Sequence, residues 1–225
     1  MQNYKGFYNR YLKRFFDILI SALVLILFCW LYAILAVLVR IFLGAPVIFT
    51  QDRPGKIDPK TGDAKIFKLY KFRSMTNATD ENGKLLPDAK RLTKFGKLLR
   101  ATSLDELPEL WNILKGDMSL VGPRPWLVRY LNYYTDYEMQ RQLVRPGLTG
   151  LAQVNGRNAS GWEERFKYDV EYVHKVSFWL DVKIVLLTIK NVLAHENIDF
   201  EKGHQTLREY FNEKNAQQQK RRKHQ

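Results

Sequence analysis

Cysteine is nearly absent from this 225-residue chain, which contains only Cys29. A single cysteine excludes a disulfide framework, and it also excludes a zinc or iron–sulfur site built from several cysteines. Acidic residues are scarce as well, because 23 Asp and Glu stand against 36 Lys and Arg and give a formal net charge of +13. This excess of positive charge indicates an anionic partner, such as nucleic acid, a phosphate-bearing substrate or a lipid surface.

Several familiar catalytic motifs are also missing. The chain has neither the GxGxxG nor the GxxxxGK[ST] phosphate-binding pattern, and the sequence GLTG at 147–150 lacks the serine of a hydrolase elbow. The histidines do not pair at the spacing of metal ligands, which argues against a zinc site; they are His174, His195, His204 and His224. With 46% hydrophobic residues, the chain can bury a core, and its length fits one globular domain with extensions.

One uninterrupted apolar run, residues 18–39, lies near the N-terminus and contains no charge, proline or glycine. A helix of about 22 residues reaches about 33 Å, enough to cross a hydrocarbon core of about 30 Å. The run is too long for a signal peptide, whose apolar region has about 7–15 residues, so we expect a retained membrane anchor. Basic residues flank it on both sides: Lys5, Arg10, Lys13 and Arg14 precede it, and Arg40, Arg53 and Lys56 follow it.

Positive flanks prefer the cytoplasmic face of a membrane, so the charges favour a helix that enters the bilayer and returns to the same side. A straight span would export one of the two basic clusters. Re-entry needs a break in the helix, and no proline in the run supplies one.

Downstream, the patterns predict a β-hairpin followed by helices. The short run 47–50 and the partly alternating run 66–73 are separated by a polar loop, as in a hairpin. Residues 90–115 and most of 163–194 have helical patterning. Within the latter, an amphipathic helix over 176–194 either packs on the core or lies among lipid headgroups.

These patterns predict an α+β fold that is mainly helical: a membrane-embedded, re-entrant N-terminal helix, then a small cytoplasmic catalytic domain with a short β-hairpin and amphipathic interfacial helices. The expected boundaries are 1–45 for the anchor, 46–200 for the catalytic domain and 201–225 for a polar, basic tail that ends in a disordered segment.

Two adjacent carboxylates are the first candidates for chemistry. Ser103 and Glu106 have the spacing of a capping box, which places Asp105 and Glu106 in the first turn of a helix. Stabilisation of the helix dipole is one sufficient explanation for both acids. The alternative is that an ionised Asp105 acts as a nucleophile and its neighbour binds Mg²⁺ together with phosphate oxygens.

Basic side chains provide candidates for binding phosphate, although simple solvation is the alternative for each of them. Arg124 lies between two prolines in the sequence GPRP, and a fixed backbone suits a guanidinium that captures phosphate in a bidentate manner. The full set of candidates is Lys71, Arg73, Arg100, Arg124, Arg145 and Arg157.

Five motifs in one order closely resemble those of the bacterial sugar transferases, the monotopic polyprenyl-phosphate phosphoglycosyl transferases. They are VIFTQDRPG, FKLYKFRSM, SLDELPELWNILKGDMSLVGPRP, RPGLTGLAQVNGRN and DVEYVHKVSFWLDVKIVLLTI. The resemblance covers about residues 11–191. Within the family, the chain is most similar to the short enzymes that initiate protein N-glycosylation in epsilon-type bacteria with a UDP-linked diacetamido sugar.

The resemblance implies transfer of a sugar-1-phosphate from a UDP-sugar to undecaprenyl phosphate at the bacterial inner membrane, with release of UMP and no nucleic-acid partner. This reaction is the first membrane step in assembling a glycoprotein, capsule or O-antigen glycan. Asp105 matches the nucleophile that forms a covalent phosphosugar intermediate, and Glu106 matches the partner that binds Mg²⁺ beside it. Further matches to binding positions are Lys71, Arg100, Arg124 and Asp181.

The sequence departs from the family pattern inside the membrane helix, where most members have Ser-Pro and this chain has Cys29-Trp30. A break is therefore expected without an evident source, and both flanks are still expected on the cytoplasmic face. The alternative function is a membrane-anchored basic protein that binds or scaffolds without catalysis.

Overall fold

A computed structural model describes residues 3–155, 161–194, 207, 209–214 and 216. In these residues the α-helices are α1 (Lys13–Leu27), α2 (Cys29–Leu43), α3 (Asp88–Arg91), α4 (Lys94–Ala101), α5 (Glu109–Lys115), α6 (Asp136–Met139), α7 (Leu151–Asn155), α8 (Trp162–Lys175) and α9 (Phe178–Leu193). The strands are β1 (Ile48–Ile57), β2 (Ala64–Phe72), β3 (Ser119–Val121) and β4 (Gly147–Thr149). Short 3₁₀ or π-helical turns occupy Asn3–Lys5, Tyr8–Leu12, Leu104–Glu106, Val128–Tyr133 and Gln140–Leu143. This mainly helical α+β architecture confirms the predicted fold class.

The apolar N-terminal run forms two helices instead of one. Phe28 separates α1 from α2 with backbone angles φ −107° and ψ 16°, and the helical stretches Tyr8–Leu27 and Cys29–Leu43 meet with a bend of 66°. Within the described part of the chain, no single helix combines the length and the apolar character needed to cross a bilayer. The bent pair taken together meets both conditions, judged by length and composition alone.

Contacts with the rest of the chain hold the two halves of this bend in different places. In α1, Arg14 donates hydrogen bonds to the carbonyls of Ile113 and Leu114 at 2.5 and 2.7 Å. In α2, the Tyr32 hydroxyl donates to the carbonyl of Leu107 at 2.7 Å. The two helices thus contact opposite ends of the segment 107–114. These contacts favour a bend between α1 and α2 although no proline is present.

The predicted hairpin is confirmed and is longer than its apolar core suggested. β1 and β2 pair antiparallel, with Ile48 opposite Phe72 and Phe49 opposite Lys71. Side chains of a strand alternate between its two faces, so Lys71 shares a face with the buried residues Phe67 and Leu69. That face packs against α5, and Lys71 is therefore carried towards the beginning of α5.

A second, smaller sheet joins two loops that the sequence analysis treated only as constrained connections. β3 and β4 pair in parallel, with Ser119 beside Gly147 and Val121 beside Thr149. A Cβ atom on Gly147 would lie 2.0 Å from the Gly122 nitrogen, and one on Gly150 would lie 2.1 Å from the Gly122 oxygen. Glycine is required here because the two backbones approach so closely.

The stretch predicted as helical over 90–115 is broken into α3, α4, the turn Leu104–Glu106 and α5. Thr93 caps α4, because its hydroxyl accepts the Gly96 N–H at 3.1 Å. Gly116, with φ +94°, ends α5 in the left-handed conformation that favours glycine.

The C-terminal helices α8 and α9 confirm the predicted helical region. On α9, only Asp181 and Ile184 are buried, whereas Trp179, Leu186 and Ile189 are more than half exposed. α9 therefore packs on the core through one face and presents an exposed apolar face on the other, which is compatible with both predicted alternatives.

Part of the range assigned to a polar tail contributes to a core. Leu207 and Phe211 are buried in a cluster with Tyr130 and Phe166. Of the segment 215–225 that was predicted to be disordered, the structure describes only residue 216, which is helical. The rest of that segment lies outside the described residues, as do Arg157, His195, His204 and His224.

Candidate active site

The two candidate carboxylates lie in the 3₁₀ turn Leu104–Glu106, between α4 and α5. The predicted capping box is wrong. Ser103 has left-handed backbone angles (φ 56°, ψ 18°), and its side chain accepts no capping hydrogen bond. An N-cap residue needs an extended backbone, and the Glu106 carboxylate binds cations instead of reaching back to Ser103.

Two cations converge on one oxygen of Glu106. The Lys71 Nζ atom lies 2.6 Å from Glu106 Oε1, and an Arg124 guanidinium nitrogen lies 2.6 Å from the same oxygen. Lys71 Nζ is also 3.0 Å from Glu109 Oε1, on the first residue of α5. The strand β2, the turn Leu104–Glu106 and the GPRP loop therefore meet at a single charged cluster.

Arg53, which was predicted only as part of a membrane flank, lies beside the loop that carries Arg124. It donates to the carbonyl of Pro125 at 3.0 Å and to Gln51 Oε1 at 2.6 Å. Burial and the nearby Arg124 lower the pKa of Arg53 to about 10. Its place in the motif VIFTQDRPG was the available signal, but the motif does not say which loop the side chain reaches.

Asp105 is 7% exposed, and its pKa is raised, whereas the dipole at the N-terminus of a helix would lower the pKa of an acid. Burial raises the pKa of Asp105 to about 6, and the adjacent Glu106 adds to that increase, while Lys71, Arg100 and Arg124 oppose it. The carboxylate remains mostly ionised at pH 7, which a nucleophile requires.

The two neighbouring glutamates are shifted in opposite directions. Burial alone would raise the pKa of Glu106, but Arg124 and Lys71 together hold it well below its ordinary value. Burial raises the pKa of Glu109 to about 7, with Lys71 opposing the increase and Glu106 adding to it. Adjacent carboxylates with separated pKa values are typical of functional sites.

The carboxylates of Asp105 and Glu106 fit Mg²⁺ only if other ligands complete its coordination. Across the residues that the structure describes, no group of three or more histidine, cysteine or acidic side chains is arranged to hold a metal ion. Asp105 and Glu106 offer two adjacent carboxylates, and Oε1 of Glu106 is already bound by two cations. Mg²⁺ commonly binds through one or two carboxylates and completes its coordination with water and substrate phosphates, so these residues fit an ion that arrives with phosphate.

The structure brings Arg100 near the cluster and leaves Arg73 outside it. Arg100 donates to the Ser74 hydroxyl at 2.9 Å, and its charge opposes the increase in the pKa of Asp105. Arg73 is buried and donates to the carbonyl of Ala45 instead. The reason is that β2 ends at Phe72, so the alternation that directs Lys71 into the cluster does not extend to Arg73.

Arg145 and Asp181 are also not brought to the carboxylate cluster. Arg145 Nε donates to the carbonyl of Gly116 at 3.1 Å, at the opposite end of α5 from Glu109. Asp181 accepts bonds from Lys13, Tyr8 and Tyr172 at 2.5, 2.7 and 2.7 Å. These contacts tie α9 to the N-terminal helix, which gives Asp181 a structural position.

Comparison with known proteins gives consistent matches over most of the chain. A family model described as bacterial sugar transferase matches residues 8–195. The chain is 51% identical, over 83% of its length and 90% of the relative's, to the uncharacterized sugar transferase EpsL of Bacillus subtilis. It is 42% identical, over 80% of its length, both to the galactosyl transferase CpsE of Streptococcus agalactiae and to the UDP-glucose:undecaprenyl-phosphate glucose-1-phosphate transferase of Escherichia coli. The matches cover 42% and 40% of those two longer relatives.

Proposed function

The chain belongs to the bacterial sugar transferase family, and from that premise we propose that it transfers a sugar-1-phosphate from a UDP-sugar to undecaprenyl phosphate and releases UMP. The observation that carries the proposal is a buried Asp105 beside Glu106, whose carboxylate holds Lys71 and Arg124 at 2.6 Å each. This arrangement joins a candidate nucleophile to the cations that phosphate groups require.

The proposed reaction has two displacements at the same phosphorus atom. First, an Asp105 carboxylate oxygen bonds to the phosphorus that carries the sugar, the bond from that phosphorus to the UMP oxygen breaks, and UMP leaves with the electron pair. Next, a phosphate oxygen of undecaprenyl phosphate bonds to the same phosphorus, and the Asp105 carboxylate is released. The covalent step divides a reaction between two anionic substrates into two easier ones.

The cations near Asp105 contribute by position and charge. Lys71 and Arg124 are held by Glu106, so their charges are already in place when negative charge builds up around the phosphorus. Mg²⁺, when bound by Glu106 and Asp105 with phosphate oxygens, would supply further neutralisation of that charge.

The bent helix pair supports a location at the bacterial inner membrane, with the charged cluster on the cytoplasmic face. Apolar side chains along both helices are exposed, among them Leu23, Ile26, Trp30 and Val37. Lipid would cover such a surface. Because the bend at Phe28 allows α2 to return towards the side from which α1 enters, both basic flanks can remain on one face.

The proposal is tested by an assay of UMP release with undecaprenyl phosphate and Mg²⁺. The panel of donors includes UDP-glucose, UDP-galactose and UDP-N-acetylgalactosamine, because the relatives' names specify these different sugars. A UDP-diacetamido sugar is added because of the resemblance to the enzymes that initiate protein N-glycosylation. We expect release with at least one donor and none with Asp105→Asn. The exposed Asp88→Asn is the matched control and should keep full activity.

Two outcomes would contradict the proposal. Absence of UMP release with every donor would contradict the proposed transferase activity. Substantial turnover by Asp105→Asn would contradict the proposed covalent step. A basic binding or scaffold protein would tolerate Asp105→Asn, and its binding of an anionic polymer would weaken steeply with salt.

A further inference from the structure

The loop that carries Arg124 has little conformational freedom of its own. Its sequence is Gly122-Pro123-Arg124-Pro125, and the two proline rings fix φ at 123 and 125. Each residue before a proline is also restricted to extended conformations. The freedom that remains is mainly rotation about φ of Arg124 and about ψ of the two prolines, and ψ of Pro125 sets the direction of its own carbonyl group.

The carbonyl groups of Arg124 and Pro125 are both held by guanidinium groups from other parts of the chain. Arg141 donates to the carbonyl oxygen of Arg124 at 2.5 Å, and Arg53 donates to the carbonyl oxygen of Pro125 at 3.0 Å. The backbone of Arg124 is therefore fixed on both sides of the bond to Pro125. The Arg124 side chain extends from this fixed point to Glu106.

Arg141 is enclosed and cannot contact a substrate directly. It is 1% exposed, and two of its nitrogens lie 2.7 and 3.0 Å from Asp169 Oδ2 on α8. Its guanidinium also stacks over the rings of Phe166 and Tyr134, at 5.6 and 5.8 Å from their centroids. A buried charge needs a partner of this kind, and Asp169 provides it.

We propose that Arg141, held by Asp169, is a positioning residue for the transfer reaction: by fixing the Arg124 carbonyl it keeps the Arg124 guanidinium in place on Glu106. Buried ion pairs often contribute little net stability, so stability alone is a weak reason for this one. The contact with the backbone of the active-site arginine gives the pair a specific task. This inference rests on the proposed function.

The first experiment compares kcat and KM for Arg141→Met, which removes the charge, and Arg141→Lys, which keeps it without the forked geometry. A displacement of about 1 Å can reduce a rate by roughly 100-fold. We expect kcat of Arg141→Met to fall by roughly 10- to 100-fold and that of Arg141→Lys to fall less. KM for the UDP-sugar should change by less than about threefold, because a displaced guanidinium still attracts phosphate but no longer meets the charge of the transition state.

The matched control is Glu138→Gln, which breaks another buried ion pair in the same region. Glu138 is 3% exposed and pairs with Lys214 at 2.6 Å, one short turn before Arg141. A loss of kcat in Glu138→Gln equal to that in Arg141→Met, at equal unfolding temperatures, would show a general effect of destabilisation and overturn the inference.

The second experiment is a double-mutant cycle with Arg124→Lys. Because Arg141 acts through Arg124, Arg141→Met should lower kcat by less than about twofold in the Arg124→Lys background. Additive losses would overturn the inference. If Arg141→Met does not fold, Arg141→Lys and Asp169→Asn take its place in the same cycle.

The outcomes separate this inference from the proposed function. An active wild-type chain whose kcat is unchanged in the Arg141 and Asp169 variants overturns the inference alone. A wild-type chain that releases no UMP from any donor overturns the proposed function, and the inference with it.

Discussion

At the scale of single residues, three carboxylates within five positions have different protonation behaviour because they face different partners. Glu106 binds two cations, Glu109 shares one of them, and Asp105 is buried with the cations at greater reach. Burial raises the pKa of Asp105 and Glu109, whereas the direct cation contacts lower that of Glu106. The residue proposed as the nucleophile is thus, like Glu109, one whose ionised form destabilises the fold.

This destabilisation gives a prediction for Asp105→Asn, measured as the unfolding temperature without Mg²⁺. A folded-state pKa of about 6 lies above the ordinary value, so Asp105 favours folding below about pH 4, and that contribution is lost as pH rises through 6. Asp105→Asn should therefore stabilise the chain by roughly 1–3 kcal/mol at pH 7.5 and by little at pH 4.5. A variant less stable than wild type at pH 7.5 would contradict this reasoning.

The opposite behaviour is predicted for Glu106→Gln. Removing this carboxylate leaves Lys71 and Arg124 close together without their shared partner, so unfolding should become easier by roughly 1–3 kcal/mol. The control is Glu163→Gln, which breaks an exposed pair with Lys167 and should change stability by less than about 0.5 kcal/mol. Chemical unfolding measures the free energy of unfolding of both variants. Equal effects would mean that the Glu106 contacts contribute little to stability.

At the scale of elements, the sequence predicted what depends on local pattern. The hairpin was predictable because its second strand alternates and a polar loop precedes it. The capping box failed because a three-residue spacing does not specify the backbone conformation of Ser103. The sheet formed by β3 and β4 was missed because its strands have three residues each, too few to show a period.

The candidate site followed the same division. Asp105, Glu106, Lys71 and Arg124 come together as the family motifs implied. Arg145, Asp181 and Arg73 also belong to the family motifs, but they lie away from the carboxylate cluster. Arg145 contacts the end of α5, Asp181 on α9 contacts Lys13, and Arg73 follows the end of β2 and contacts Ala45. Arg53 and Arg141 reach the GPRP loop through tertiary packing, for which no local pattern exists.

The small parallel sheet gives a prediction at this scale. In Gly147→Ala, the new Cβ atom would lie 2.0 Å from the Gly122 nitrogen, so the backbone must shift and the GPRP loop with it. We expect the free energy of unfolding to fall by more than about 2 kcal/mol, and we expect kcat to fall as well because the loop moves. Gly161→Ala is the control, since nothing lies within 4 Å of its added Cβ and the variant should fold normally. Normal stability and turnover in Gly147→Ala would show that the loops tolerate separation.

At the scale of the whole molecule, the bend between α1 and α2 bears on the proposed orientation of the charged cluster at a membrane. α1 and α2 are each fastened to the segment that carries the carboxylates, through Arg14 at its end and Tyr32 near its beginning. Two helices that return to one domain cannot place that domain on one side and the N-terminus on the other without breaking these contacts. We therefore expect residues on both flanks to be accessible from the cytoplasm only.

Single cysteines placed on each flank test this expectation, in a background in which Cys29→Ser removes the native thiol. The sites are Lys5→Cys, before α1, and Lys60→Cys, in the exposed loop between β1 and β2. A membrane-impermeant thiol reagent should label neither variant in intact spheroplasts and both after lysis, with a secreted single-cysteine protein as the control for reagent activity. Labelling of Lys5→Cys alone in intact spheroplasts would establish a straight span and contradict this expectation. In a straight span, the N-terminus and the domain would lie on opposite sides of the membrane, and α1 could not keep its hydrogen bonds to Ile113 and Leu114.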